Sequence, residues 1–231
     1  MSRTVDLLVI TAHPDDAEFG AAGTVAQWTQ AGKRVVYLVC TSGDKGSSDR
    51  SITGEALSAA REREQREACE VLGVERVVFL GYEDQTLEET PAFRKQLVEQ
   101  IRTYRPHTIF TLDPYRRYLW HRDHRIVGQV VMDAVFPLAR DHMAYPDLLQ
   151  RGLEPHKVRE VHYFGAEDIN HHSNIETTFE RKLTALSCHQ TQVRDINNGD
   201  LRGWLRQRCR QMAQGSEYHL AEAFHKVILP E

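Results

Sequence analysis

The sequence has no cysteines at metal-ligating or disulfide-forming spacing: Cys40, Cys69, Cys188 and Cys209 stand far apart, and none belongs to a Cys-x-x-Cys pair. This argues against a zinc ribbon and a disulfide framework, and leaves buried free thiols as the expectation. No apolar run approaches the roughly 18 residues of a membrane span, and Met1-Ser2-Arg3-Thr4-Val5 leads straight into a strand-like run with no room for a signal peptide. A soluble, cytoplasmic protein with no membrane partner is expected. An excess of positive charge is also missing, because the formal net charge of -4 leaves no electrostatic footprint for nucleic acid. Finally, Gly20-Ala21-Ala22-Gly23 lacks the Gly-x-Gly-x-x-Gly spacing that lets a backbone approach pyrophosphate, which disfavours a nucleotide-binding module.

What is present is an ordinary globular composition. The 231 residues, 41% hydrophobic and 27% charged, can bury a large core as one undivided domain, and no repeat, low-complexity tract or linker divides them. Short β-rich runs alternate with helical patterns, as in βαβ units. Strands are predicted at Val5–Thr11, Arg34–Cys40, Arg76–Leu80 and Thr108–Leu112, with a later one at Val161–Phe164. Helices are predicted at Gly20–Ala31, Ser58–Leu72, Pro91–Tyr104 and Ile126–Ala139, and further on at Thr177–His189 and Leu201–Gln214. Ile196–Asp200 reads as a turn, and the glycine- and serine-rich stretch Thr41–Gly54 as a loop. The alternation implies a single α/β domain with a mostly parallel sheet.

The chemistry is concentrated in two places. Ala12-His13-Pro14-Asp15-Asp16 follows the first strand directly, at the sheet edge where open α/β folds bind ligands. His121-Arg122-Asp123-His124 follows a later strand, and its i,i+3 histidines share a face if a helix begins there. A catalytic zinc takes three protein ligands and keeps one position for water, whose pKa falls to about 7. His13, Asp16 and His124 fill those three places, and Asp15 is left to take a proton from the attacking water. Alone, the first cluster reads equally well as a capped turn. Two histidines and a carboxylate also match the facial triad of non-haem iron oxygenases, but those sites usually sit on β-rich folds. A metal-dependent phosphoesterase or other metallohydrolase on a small polar substrate is the next alternative, although it normally needs a second metal and more carboxylates.

On these motifs the chain resembles the PIG-L/LmbE-like zinc-dependent N-acetylglucosaminyl deacetylases. The resemblance extends through Gly20–Thr24, Arg61-Glu62-Arg63-Glu64 up to Leu72-Gly73, and Gly81-Tyr82-x-Asp84. Less specifically it takes in Lys182–Gln192 and Ala221-Glu222-Ala223-Phe224. It implies a Rossmann-like three-layer α/β sandwich spanning residues 1–231 as a single domain. It also implies removal of an acetyl or other acyl group from an N-acetylglucosamine-type amino sugar or its conjugate, one Zn2+ per chain or another divalent ion in its place, and a homo-oligomer.

Carried over by position, the resemblance makes His13, Asp16 and His124 the metal ligands and Asp15 the general base. His121 would stabilise the oxyanion or protonate the leaving amine, Asp123 would orient the His121 imidazole, and Arg61 would fix Asp15 or the substrate at the site edge. Arg122 is a departure, since many relatives have proline there. His189 matches a position where relatives place a polar rim residue, which suggests substrate contact. The segment Pro114–Trp120, aromatic and basic, suits a sugar face or an anionic group, and equally a subunit interface.

Overall fold

Leu7–Thr11 (β1), Val35–Thr41 (β2) and Thr108–Leu112 (β4) are buried along their whole length. Such continuous apolar runs are what a parallel sheet covered on both faces requires. The computed structural model describes residues 4–230; Met1 to Arg3, on which the reading of the amino terminus drew, and Glu231 lie outside them. With Arg76–Tyr82 (β3), Glu160–Phe164 (β5), His171–Asn174 (β6) and Ala221–Ile228 (β7), these strands form one sheet in the order β3-β2-β1-β4-β5-β7-β6. The first five are parallel, and β7 pairs antiparallel with both β5 and β6.

The chain moves outward from β1 to β2 and β3, then returns to place β4 on the other side of β1. Right-handed crossovers therefore put the two sets of connecting helices on opposite faces. Helices α1 (Asp16–Gly20), α2 (Ala22–Gln30) and α3 (Gly54–Leu72) lie in the first half, with α4 (Pro91–Tyr104) and α5 (Arg122–Asp133) next. Shorter α6 (Pro146–Gln150) and α8 (Gln190–Val193) accompany α7 (Phe179–Ser187) and α9 (Leu201–Met212). This is the expected three-layer α/β sandwich. No helix among the described residues is long and apolar enough to cross a membrane, and all four cysteines are free.

Three expectations are corrected. The helix predicted at Gly20–Ala31 begins two residues later, as α2, and a separate short helix, α1, precedes it, the two parted by a break at Ala21, whose φ is -143°. Side chains from distant segments stabilise the break: Lys182 Nζ donates to the carbonyls of Glu18 and Phe19 at 2.9 and 3.0 Å, closing the end of α1. The Glu222 carboxylate accepts from the N–H groups of Gly23 and Thr24, both at 2.8 Å, and so caps the start of α2. The helix predicted at Ile126–Ala139 begins earlier, at Arg122, and is interrupted by a kink at Phe136, whose φ of -140° and ψ of 117° are not helical. Strands β6 and β7 were not anticipated.

Lys182 and Glu222 also form an ion pair at 2.6 Å, with both side chains almost fully buried. Removing one partner leaves the other charge unpaired in the interior. Lys182→Met is expected to destabilise the fold by about 3–5 kcal/mol, and adding Glu222→Gln should recover part of that loss. Urea unfolding checks this; an unchanged midpoint in Lys182→Met would contradict the capping role.

Candidate metal and acid-base site

The strand order reverses between β1 and β4, so the loops after these two strands open a crevice at the sheet's carboxyl edge. His13, Asp15 and Asp16 lie just past the end of β1. His121 and His124 lie at the start of α5, which follows β4.

Asp16 accepts the N–H groups of Ala12 and His13 on Oδ2, at 3.1 and 2.8 Å, which folds the loop back and leaves Oδ1 facing the crevice. Asp15, just before α1, has φ of 103°, a strained value for a non-glycine residue. Its N–H donates to Gln65 Oε1 at 3.0 Å. Arg61, buried on α3, donates to Asp15 Oδ2 at 3.2 Å, to the Pro14 carbonyl at 2.7 Å and to the Gly43 carbonyl at 3.1 Å. Gly43 has φ of +61°, and a Cβ there would stand 2.6 Å from the Arg61 guanidinium. The arginine thus ties the loops after β1 and β2 together and holds Asp15 in place.

From the other side, His121 caps α5, accepting the Asp123 N–H on Nδ1 at 3.1 Å. His124 Nε2 lies 3.0 Å from Asp16 Oδ1 and 3.1 Å from His13 Nδ1, and His13 Nδ1 lies 3.5 Å from Asp16 Oδ2. Ligand atoms about 2.0–2.2 Å from a tetrahedral ion stand about 3.3–3.6 Å apart, close to the separation of each pair of these side chains, with Asp16 approaching His124 through Oδ1 and His13 through Oδ2. His121 is close, its ring centroid 4.6 Å from that of His13. His13, His121 and His124 have ligand atoms within 4.8 Å of one another, as do His13, Asp84 and Asp123.

Burial opposes charge at His13, yet the hydrogen bonds it donates to Asp123, Asp16 and Asp84 raise its pKa well above the ordinary value. Burial likewise opposes ionisation of Asp16, but His124 and His13 hold its carboxyl well below the usual range. The donor set of the crevice is compatible with a divalent cation. Asp15 behaves differently. Burial raises its pKa to about 6, with Arg61 acting in the opposite direction and Asp16 in the same one. Burial, His13 and His124 lower the pKa of the half-exposed His121.

All seven residues singled out in the sequence, His13, Asp15, Asp16, Arg61, His121, Asp123 and His124, meet here. Two contacts differ from expectation. The Asp123 carboxylate does not orient the His121 ring; it lies 3.4 Å from His13 Nε2 and accepts the Gln85 N–H at 2.7 Å, reaching His121 only through its backbone N–H. His189 is not at the rim: it is fully buried, its Nε2 3.1 Å from Glu18 Oε2. Asp84, given no role from sequence, lies 2.9 Å from His13 Nε2. Its place in the Gly-Tyr-x-Asp motif just beyond β3, on the same sheet edge, was the available signal. Gln65 was also missed; it bridges the Asp15 backbone to the buried Glu18 carboxylate.

Residues 8–135 match the PIG-L family, described as GlcNAc-PI de-N-acetylase. A diacetylchitobiose deacetylase of Thermococcus kodakarensis is 34% identical over 186 residues, covering 80% of this chain and 69% of its own. A probable N-acetyl-alpha-D-glucosaminyl L-malate deacetylase 2 of Bacillus cereus is 31% identical over 192 residues, covering 81% and 83%. Among solved structures, the N,N'-diacetylchitobiose deacetylase of Pyrococcus horikoshii superposes with a TM-score of 0.91 at 28% identity, over 96% of this chain and 83% of that one.

The position of His124 depends on how closely α5 approaches β4. At Gly128, one turn beyond His124, a Cβ would stand 2.3 Å from the Leu112 carbonyl oxygen and 2.8 Å from Pro114 Cδ. Gly128→Ala is therefore expected to cost roughly 1–3 kcal/mol by overpacking and to weaken metal retention without altering a ligand. Thermal unfolding and metal analysis check this; wild-type values in both would show that the helix has room to spare.

Proposed function

The chain belongs to the PIG-L family, and on that premise we propose that it is a zinc-dependent N-deacetylase acting on an N-acetylglucosamine-type amino sugar or its conjugate. The observation that carries the proposal is the contact of His124 Nε2 with both His13 Nδ1 and Asp16 Oδ1, and of His13 Nδ1 with Asp16 Oδ2, beside an Asp15 carboxyl that is not needed as a ligand. The names of the three relatives support the substrate class, since each is a deacetylase of an N-acetylated sugar or sugar conjugate.

His13, Asp16 and His124 would hold the ion, which would polarise the amide carbonyl and lower the pKa of a water toward about 7. Asp84 and Asp123 bind the Nε2 side of His13, which would leave Nδ1 as the atom that holds the ion. Asp15 takes the proton from the attacking water, its pKa of about 6 leaving it a usable base near neutrality. Arg61 fixes the direction of that carboxylate. His121, over the crevice, stabilises charge gathering on the carbonyl oxygen. Asp15 and His121 are the two groups placed to return a proton to nitrogen as the C–N bond breaks, leaving acetate and a free amine. A homo-oligomer belongs to the same reading: Tyr115, Tyr118 and Leu119 are exposed on the loop after β4 and offer apolar area to a second copy.

Acetate release from N-acetylated amino sugars should stop on chelation and return with Zn2+. Asp15→Asn is expected to lower kcat by about 10²–10⁴-fold with metal still bound, whereas His124→Ala should lose the metal itself. Turnover indifferent to chelator, or full metal content in His124→Ala, would contradict the assignment.

A further inference from the structure

The segment at 114–120 has no part in this chemistry, yet its last residue touches the site. The Trp120 ring meets that of His124 edge to face, with centroids 4.6 Å apart, and the Arg116 guanidinium lies 4.5 Å over Trp120. The indole is fixed by a 2.7 Å hydrogen bond from Nε1 to the Asp113 carbonyl, and it lies against Gly165, where a Cβ would stand 2.9 Å from the ring. Two successive ring contacts therefore separate His124 from Arg116, which places Arg116 within reach of a group attached to a sugar whose amide sits at the metal site.

Arg116 lines a cavity of about 150 Å³ together with Arg208 of α9, with Phe19, Gly165 and Cys209 among the walls. The cavity's other charges are already paired: Lys182 with Glu222 at 2.6 Å, and Glu167 with Arg117 at 2.9 Å. Arg116 and Arg208 are the surplus. Neither makes a hydrogen bond or ion pair among the described residues; their contacts are the faces of Trp120 and Trp204. Arg208 is exposed on α9 and Arg116 half-buried; each acts on the other, and Arg116 also acts on the Glu167 carboxylate of the same cavity. Two guanidiniums lining one cavity without an ion pair of their own offer N–H donors suited to an anionic oxygen group.

We propose that this cavity is a specificity subsite for a carboxylate or phosphate carried by the part of the substrate beyond the N-acetylated ring. It rests on the deacetylase reading for the position of the sugar, and on Arg116 and Arg208 for the charge. The metal site would then process the amide while the arginine pair selects anionic conjugates over neutral ones, an attraction that salt weakens.

The test compares three probes: the neutral methyl glycoside of N-acetylglucosamine, N-acetylglucosamine 1-phosphate, and a glycolic acid glycoside of N-acetylglucosamine. The wild type is expected to favour at least one charged probe by about tenfold in kcat/KM, expressed in KM and shrinking with added salt. The two charged probes tell phosphate from carboxylate. Arg116→Gln and Arg208→Gln should each bring the ratio to within about twofold of unity, and Arg208→Lys should restore part of it. Equal kcat/KM on all three probes in the wild type, or a preference that survives both substitutions, overturns the subsite. So does a change of oligomeric state in the variants with the preference intact, which would make the arginines an interface with a second copy. If no probe is deacetylated, the enzymatic reading fails instead. Titration calorimetry of the same probes then decides the subsite: tighter binding of a charged probe, lost in Arg208→Gln, supports it, and equal binding overturns it.

Discussion

Four carboxyl groups, those of Asp15, Asp16, Asp84 and Asp123, are buried around the single imidazole of His13. Among the described residues, Arg61 is the one permanent cation bonded to any of these carboxylates. Burying that much negative charge is costly unless a cation compensates it, and much of the surrounding architecture meets this constraint. Asp16 takes two backbone N–H groups, Asp123 takes another from Gln85, and His13 is drawn toward its protonated form. A divalent ion between His13, Asp16 and His124 would replace that proton and balance the site.

The fold supplies the geometry for this. The reversal of strand order between β1 and β4 brings together residues a hundred positions apart, and the close approach of α5 to β4 at Gly128 sets the height of His124. Behind the crevice, a second buried polar layer fixes the first. Gln65 joins the Asp15 backbone to Glu18, Glu18 meets His189, and Lys182 with Glu222 braces both helices that follow the loop. This layer is rigid because nearly every charged member has a partner, which is what holds Asp15 at its strained φ.

The parts of the structure written in local signals were legible in the sequence. Strand β4 and helix α4 fall at the predicted limits, Thr108–Leu112 and Pro91–Tyr104, because Thr90 caps α4 and Pro91 fits its first turn. Strands β1, β2 and β4 announce themselves as buried apolar runs, whereas β3, at the sheet edge, is exposed or half-buried along its whole length. The edge strand His171–Asn174 has no such run, and its pairing with β7 is what makes it a strand. The break between α1 and α2 was hidden because its caps come from Lys182 and Glu222, far along the chain. At the site, the two motifs carried every proposed ligand and the proposed base. Contacts set by tertiary approach were not readable: Asp84 against His13, the carboxylate of Asp123 turned from His121 toward His13, and His189 drawn inside by Glu18.

Because His13 is shared by the set with His121 and His124 and by the set with Asp84 and Asp123, and also touches Asp16, the location of the ion tests the account most directly. Crystals of the zinc-loaded protein, with anomalous scattering measured at the zinc edge, locate it without reference to activity. The account predicts one peak about 2.0–2.2 Å from His13 Nδ1, His124 Nε2 and Asp16 Oδ1. A peak bonded instead to His13 Nε2, Asp84 and Asp123, or no peak in the crevice, would contradict it.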